Sequence, residues 1–259
     1  MSEKSEQPQS LTLLDLDRTI LNTDLYAETL DGFLMEKHKK LALSISEARK
    51  RVEAENKTFD SYDHILQEIG QADADEIDEE FIAFAHSNGV GETLYNPGFK
   101  ELLAWLEWRK SAFAIFTSGS VAGQTTKIRS MKLDKYPYSI TTLGEKGNKL
   151  QEWRQADGTF RIPLTSLMGD VAVFSKTIAD KDAVFANIRT LDDRYDAYVG
   201  APDADKGVTQ YIYRKPGSTP SVVQERGKDT FATEITDPII FGDLIAEKLI
   251  EEEKHRSTS

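Results

Sequence analysis

Short apolar runs that end in polar residues recur along this chain, and between them lie segments in which apolar residues return every three or four positions. The runs are typical of buried strands, and the second spacing is typical of amphipathic helices. The first run begins at Leu11 and ends in Asp15 and Asp17. A second begins at Ala112 and ends in Thr117. The alternation of strand and helix patterns predicts an α/β fold with a parallel sheet.

The longest stretch without a strand pattern covers residues 25–93. Apolar residues recur in it at helical spacing, for example Leu30, Phe33 and Leu34. This stretch is longer than an ordinary connection between two strands. We therefore predict a helical cap of four helices inserted after the first strand, and a helical segment of the core domain is the alternative.

The core domain is predicted over residues 11–24 and 94–259. After the cap, the patterns predict helices over 99–108, 121–131, 177–185 and 241–253, and strands near 138–143, 188–191 and 208–213. Residues 143–170 contain several glycines and turn signals, and we predict a short insertion over the sheet there. Residues 1–10 are polar and are predicted to form a disordered tail.

Asp15 and Asp17 follow the first predicted strand, where open α/β sheets bind their ligands. Two carboxylates this close repel each other unless a cation lies between them or one of them is protonated. The pair therefore predicts a metal site in which one acid can serve as a nucleophile and the other as a general acid. An acidic turn that caps a helix is the alternative reading of an isolated pair.

The second run is followed by Thr117, Ser118 and Gly119 and then by a predicted helix. A hydroxyl group and free amides at a helix N-terminus bind phosphate oxygens, and the helix dipole assists them. A glycine permits close approach of the ligand to the backbone. These three residues are therefore candidate phosphate ligands, although such a turn often serves only as a helix cap.

The first run with its acids and Thr19 resembles the first motif of the haloacid dehalogenase superfamily of aspartate-nucleophile phosphohydrolases, and Thr117 resembles the hydroxyl residue of the second motif. The resemblance implies a doubly wound, Rossmann-like parallel sheet with an inserted α-helical cap. It also implies that Asp15 is the nucleophile and a metal ligand. Asp17 would be the general acid and base, and its backbone carbonyl would bind the metal ion, Mg²⁺.

The family also uses a lysine that neutralises both the phosphate and the nucleophilic carboxylate. Lys176, at the start of the helix predicted over 177–185, is our assignment. Lys181 is the alternative, but a helix that begins there leaves too few residues for a helix and a strand before the next acids.

The last acidic motif of the family completes the metal shell. Asp192 and Asp193 are our assignment, and Asp196 of the same cluster stays an alternative. Asp170 and the acids near residue 203 fit the family's spacing less well, because the first lacks a partner acid and the second leaves no room for a following helix.

The net charge of −12 opposes binding to nucleic acid and anionic membranes, because proteins bind both mainly by placing positive charge against their phosphate groups. The chain has no cysteine, which excludes disulfides, thiolate catalysis and cysteine-based zinc sites. No apolar run approaches membrane-spanning length, and residues 1–10 lack a signal-like apolar segment. We therefore expect a cytoplasmic protein with neither nucleic-acid nor membrane partners.

The resemblance implies a Mg²⁺-dependent phosphatase that hydrolyses a small phosphorylated metabolite through an aspartyl-phosphate intermediate. A phosphotransferase or phosphomutase would share the same core. A non-catalytic protein used for binding or regulation is the alternative from another class, and the irregular last acidic motif is the feature that suggests it.

Overall fold

The computed structural model describes residues 9–55, 59, 61–175, 177–179, 181–202, 206–217 and 232–246. Its strands are β1 (Gln9–Leu14), β2 (Phe113–Ser118), β3 (Tyr138–Thr141), β4 (Phe160–Pro163), β5 (Ile178–Ala179), β6 (Asp182–Asp192), β7 (Val208–Tyr213) and β8 (Thr233–Ile235). Its helices are α1 (Thr23–Lys37), α2 (Lys39–Ala54), α3 (Ser61–Ile69), α4 (Gln71–Ser87), α5 (Phe99–Trp108), α6 (Val121–Ser130) and α7 (Lys146–Trp153). Residues 238–246 are also helical.

Six of the strands form a parallel sheet in the order β3-β2-β1-β6-β7-β8, and β4 and β5 pair with β6 in the antiparallel direction. β1 lies between β2 and β6, and Thr12 is opposite both Phe113 and Arg189. Because these strands run in the same direction, their carboxyl ends lie at one edge of the sheet. The predicted α/β fold with a parallel sheet is confirmed.

Apolar side chains cover both faces of β1. Leu11 and Leu13 pack on one face in a cluster that includes Trp153 of α7. Leu14 packs on the other face in a cluster that includes Leu102 of α5. Burial of each leucine contributes roughly 2 kcal/mol. Helices on both faces therefore hold β1 in the centre of the sheet and fix the residues that follow it.

Four helices, α1 to α4, occupy the segment predicted as a cap between β1 and α5. This helical insert docks on α6 of the core. Thr126 donates a hydrogen bond of 2.5 Å to Asp78, and Arg129 donates two hydrogen bonds, of 2.5 and 2.9 Å, to Glu79. The insert therefore packs against the helix that follows β2.

The helix predicted over 177–185 is wrong, because β5 and β6 occupy this part of the chain. β6 pairs with β1, β7, β4 and β5. Polar residues of β6 are buried in these pairings; Thr190 is fully buried and Arg189 is 4% exposed. The pattern of apolar residues did not predict the central strand β6, because this strand contains polar residues.

Two other predictions differ in part from the structure. Residues 143–170, predicted as an insertion over the sheet, contain α7, whose side chains pack on β2 and β1, and β4, which joins the sheet. Residues 9 and 10 belong to β1, whereas the remainder of the predicted tail lies outside the described residues. None of the helices in the described parts of the chain is long and apolar enough to cross a membrane.

Candidate active site

Three buried carboxylates meet at the carboxyl end of the sheet. Asp15 follows β1, Asp192 is the last residue of β6, and Asp193 comes next. Leu14 is opposite Leu191 in the parallel pair, so the residues after them lie side by side. One carboxylate oxygen of each acid lies within 4.8 Å of the others. The acids are at most 5% exposed, so the sheet holds these three groups away from water.

Lys146 is the positive charge within this group. It lies in the first turn of α7, and its Nζ atom donates hydrogen bonds of 2.6 Å to Asp15 Oδ1 and to Asp192 Oδ2. Burial alone would lower the pKa of the Lys146 ammonium, but the two carboxylates raise this pKa well above its ordinary value. The lysine is therefore charged and fixed between the two acids.

One ammonium does not compensate three carboxylates. Burial, followed by the charge of Asp192, raises the pKa of Asp15 above its ordinary value even though Lys146 opposes this effect. Buried carboxylates in this situation are relieved by a proton or by a metal ion. Oxygen ligands from Asp15, Asp192 and Asp193 suit a hard divalent cation such as Mg²⁺. The donor set therefore fits the metal ion that the sequence resemblance implies.

The third acid of the predicted cluster, Asp196, has a different partner. Its Oδ1 atom accepts a hydrogen bond of 2.9 Å from Arg194 Nε. The backbone amide of Arg194 donates a hydrogen bond of 3.1 Å to Asp192 Oδ1. The turn after β6 therefore directs Asp192 and Asp193 toward Asp15, whereas Asp196 belongs to a local ion pair.

Asp17 is held by side chains of α6 and α1. Lys127 Nζ donates to both of its carboxylate oxygens at 2.9 Å, Gln124 Nε2 donates to Oδ2 at 2.9 Å, and Thr23 Oγ1 donates to Oδ1 at 3.1 Å. Burial alone would raise the pKa of the Asp17 carboxyl. The charge of Lys127 and the three sets of hydrogen bonds overcome this effect and lower the pKa. These contacts favour the ionised form of Asp17.

The predicted phosphate loop lies beside these acids. Thr117, Ser118 and Gly119 line the same cavity as Asp15 and Asp17. Thr117 is buried, and its Oγ1 atom donates a hydrogen bond of 2.9 Å to Gln124 Oε1. The amide of Gly119 donates a hydrogen bond of 3.0 Å to the carbonyl of Thr141. This amide therefore extends the pairing of β2 with β3. The sequence predicts a free amide here that points into the cavity, and this expectation is wrong for Gly119.

Neither Lys176 nor Lys181, the two candidates for the lysine beside the nucleophile, is seen in contact with Asp15 among the residues that the structure describes. Lys176 lies outside the described residues. Lys181 is exposed, and its backbone carbonyl accepts a hydrogen bond from the Leu164 amide. The lysine that contacts Asp15 is Lys146, which the sequence reasoning missed together with Gln124 and Lys127.

A signal for Lys146 is present in the sequence, since it follows a predicted strand by a few residues. Glycines around it made the segment look like a loop. Gly147 has a packing role, because a Cβ atom at this position would lie 2.0 Å from the carbonyl oxygen of Val199. The absence of a side chain lets α7 approach the turn after β6 and brings Lys146 to Asp192.

A cavity of about 710 Å³ joins the acids to the cap. Its wall on the core side includes Asp15 and Thr117, and its wall on the cap side includes Leu30, Tyr62 and Asp78. The volume is within the range of sites that bind small molecules. The cavity can therefore hold a small ligand against the carboxylates, with the cap covering its far end.

Asp78 is a partly buried acid on the cap side of this cavity. Burial raises the pKa of its carboxyl from 3.8 to about 7, with smaller contributions from the carboxylates of Asp75 and Glu79. The hydrogen bond from Thr126 and the charge of Arg129 oppose this effect. The unfolded chain ionises Asp78 near its ordinary pKa, so this group lowers stability progressively as the pH rises from about 4 to about 7.

We expect the replacement Asp78→Asn to remove this pH-dependent cost. The gain in the free energy of unfolding of the variant over the parent should be about 1–3 kcal/mol larger at pH 8 than at pH 5. Urea unfolding at the two pH values measures this difference. The exposed Asp134→Asn serves as the control, and an Asp78→Asn difference that is equal at both pH values would contradict the prediction.

Comparisons with known proteins connect this arrangement to a fold. No family model and no curated protein sequence matches the chain. A haloacid dehalogenase-like hydrolase from Burkholderia xenovorans LB400 is 14% identical, with a TM-score of 0.58, over 93% of this chain and 99% of that chain. A magnesium-bound HAD-hydrolase from Bacillus subtilis is 14% identical, with a TM-score of 0.44, over 92% and 99% of the two chains. The chain therefore has the fold of the haloacid dehalogenase-like hydrolases, as its first two motifs predict.

Proposed function

We propose that this protein is a Mg²⁺-dependent phosphatase that hydrolyses small phosphate monoesters through an aspartyl-phosphate on Asp15. The observation that carries this proposal is the group formed by Asp15, Lys146, Asp192 and Asp193 at the floor of a cavity that the cap covers. An acid that is fixed by a lysine and accompanied by two further acids suits nucleophilic attack on phosphorus beside a metal ion.

In the first half-reaction, an Asp15 oxygen forms a bond to phosphorus while the bond to the ester oxygen breaks. Lys146 holds Oδ1 of Asp15, so Oδ2 is the oxygen that we assign to the attack. The departing oxygen takes a proton from Asp17 when that acid is protonated. A leaving group that is stable as an anion needs no such proton.

In the second half-reaction, water attacks the phosphorus of the aspartyl-phosphate and restores the Asp15 carboxylate. The Asp17 carboxylate accepts the proton of this water molecule. The contacts of Asp17 with Lys127, Gln124 and Thr23 favour the ionised form that this step requires.

Side chains of the protein and the metal ion would both counter the negative charge on the phosphoryl oxygens. The Lys146 ammonium supplies one positive charge, and the Thr117 hydroxyl can turn from Gln124 to donate to a phosphoryl oxygen. Asp15, Asp192 and Asp193, together with the Asp17 carbonyl, would hold Mg²⁺, which neutralises phosphoryl charge when it is bound. The cap excludes water from the cavity and contacts the leaving group.

Release of inorganic phosphate from p-nitrophenyl phosphate and from a panel of phosphorylated metabolites tests the proposal. We expect activity with Mg²⁺ that falls at least about 100-fold in excess EDTA and returns when Mg²⁺ is restored. A rate that is unchanged by EDTA would contradict it. Transfer of the phosphoryl group to a sugar hydroxyl, with no release of phosphate, would identify a phosphotransferase instead.

A further inference from the structure

Helix α6 holds the carboxylate of Asp17 with two side chains from consecutive turns. Gln124 and Lys127 are three positions apart, so they lie on the same face of the helix. Lys127 bonds to both carboxylate oxygens and Gln124 bonds to one of them. With Thr23 on the remaining side, all four acceptor positions of the carboxylate are occupied. The orientation of Asp17 is therefore fixed from several directions.

Gln124 also connects Asp17 to the predicted phosphate loop. Its side chain is 2% exposed, and its carbonyl oxygen accepts the hydrogen bond from Thr117 while its amide nitrogen donates to Asp17. A carboxylate only accepts hydrogen bonds, so Asp17 determines which end of the amide faces it. A Cβ atom at position 119 would lie 2.8 Å from Gln124 Nε2, which explains the glycine there.

The pair of Lys127 and Asp17 is distinct from the contacts that dock the cap on α6. The side chains of Lys127 and Asp17 are 16% and 28% exposed, so this mostly buried pair contributes to folding as well as to the site. The bonds that join α6 to the cap are made by different residues, Thr126 and Arg129. Gln124 and Lys127 line the cavity together with Asp17. Their common feature is contact with the group that must move a proton.

We propose that Lys127 and Gln124 are positioning residues that hold the Asp17 carboxylate where it accepts the proton of the water attacking the aspartyl-phosphate. This inference rests on the proposed function. Lys127 shares its ammonium between the two oxygens, so a shift toward one oxygen frees an acceptor position for water. Gln124 and Thr23 keep the carboxylate in place during that shift.

The inference predicts a separation of kinetic constants in Lys127→Met. Hydrolysis of the aspartyl-phosphate becomes slow, so kcat for p-nitrophenyl phosphate falls by roughly 10- to 100-fold. Formation of the intermediate from this good leaving group needs no proton, so kcat/KM stays within about threefold and KM falls with kcat. Rapid quench should show that the phosphorylated protein accumulates. Gln124→Leu should show the same pattern with a smaller loss.

Two variants serve as comparisons. Lys127→Arg keeps a cation beside Asp17 and should recover most of kcat. Lys149→Met removes a lysine of α7 that pairs with Glu152 outside the cavity, and it should match the parent. A parallel loss of kcat and kcat/KM in Lys127→Met and Gln124→Leu, or no accumulation of phosphorylated protein, would overturn the inference. An inactive parent would count against the proposed function itself.

Discussion

Replacing Asp15 by asparagine is expected to lower kcat for p-nitrophenyl phosphate by at least about 10³-fold, the scale seen when a nucleophile is removed. Asparagine has the same shape but cannot form the acyl-phosphate bond. It also removes one of the three carboxylates that would hold Mg²⁺. The fold should persist, because Lys146 keeps Asp192 as its partner. Initial rates and rapid-quench labelling of the protein measure the loss.

The same variant tests the metal site without any substrate. Mg²⁺ that binds only the folded protein raises the melting temperature of the parent. Asp15→Asn should reduce this rise, whereas the exposed Asp134→Asn should retain it. If Asp15→Asn hydrolysed the substrate at the parent's rate, Asp15 would not be the nucleophile, and the proposed mechanism would fail.

Replacing Lys146 by methionine is expected to damage both stability and activity. Methionine fills a similar volume but leaves Asp15 and Asp192 without their buried partner. Removal of one member of a buried ion pair costs about 3–5 kcal/mol, so the Mg²⁺-free variant should unfold at a lower urea concentration by a corresponding amount. The loss of a charge beside the phosphoryl group should lower kcat by roughly 10²- to 10³-fold.

Mg²⁺ should recover part of the stability of Lys146→Met, because the cation can take over the charge of the missing ammonium, but it should not recover kcat. Lys149→Met on the same helix is the matched control, since Lys149 forms an exposed pair with Glu152. A destabilisation of Lys146→Met below about 1 kcal/mol in the absence of Mg²⁺ would show that the pair is not the buried contact described above.

Local patterns were sufficient for the elements that lead into the site. The observed α5, Phe99–Trp108, has the bounds that its apolar face predicts. β1 ends directly before the predicted acids, and β2 contains the predicted hydroxyl residue, Thr117, next to its last position. These elements depend on side chains that are near each other in sequence. The parallel pairing of β1 with β2 then follows from the alternation of strands and helices.

Contacts between distant parts of the chain were not predictable in this way. Lys146 lies 131 positions from Asp15, and Lys127 lies 110 positions from Asp17. The position of Lys146 shortly after a predicted strand is the one local signal for it, and nothing in the local sequence distinguishes Lys127 from a solvated lysine. The polar residues of β6 produced a further error, because pairing with β1 and β7 buries this strand while its sequence shows only low hydrophobicity.

Helix α6 touches the cap through Thr126 and Arg129 and touches Asp17 through the neighbouring residues Gln124 and Lys127. A ten-residue helix is too short to bend much between these contacts, so displacement of one set is transmitted to the other. We expect that a ligand too large to fit beneath the cap would displace α6 and would thereby misalign Asp17, the proton acceptor. Oversized esters would then show a lower kcat in addition to weaker binding.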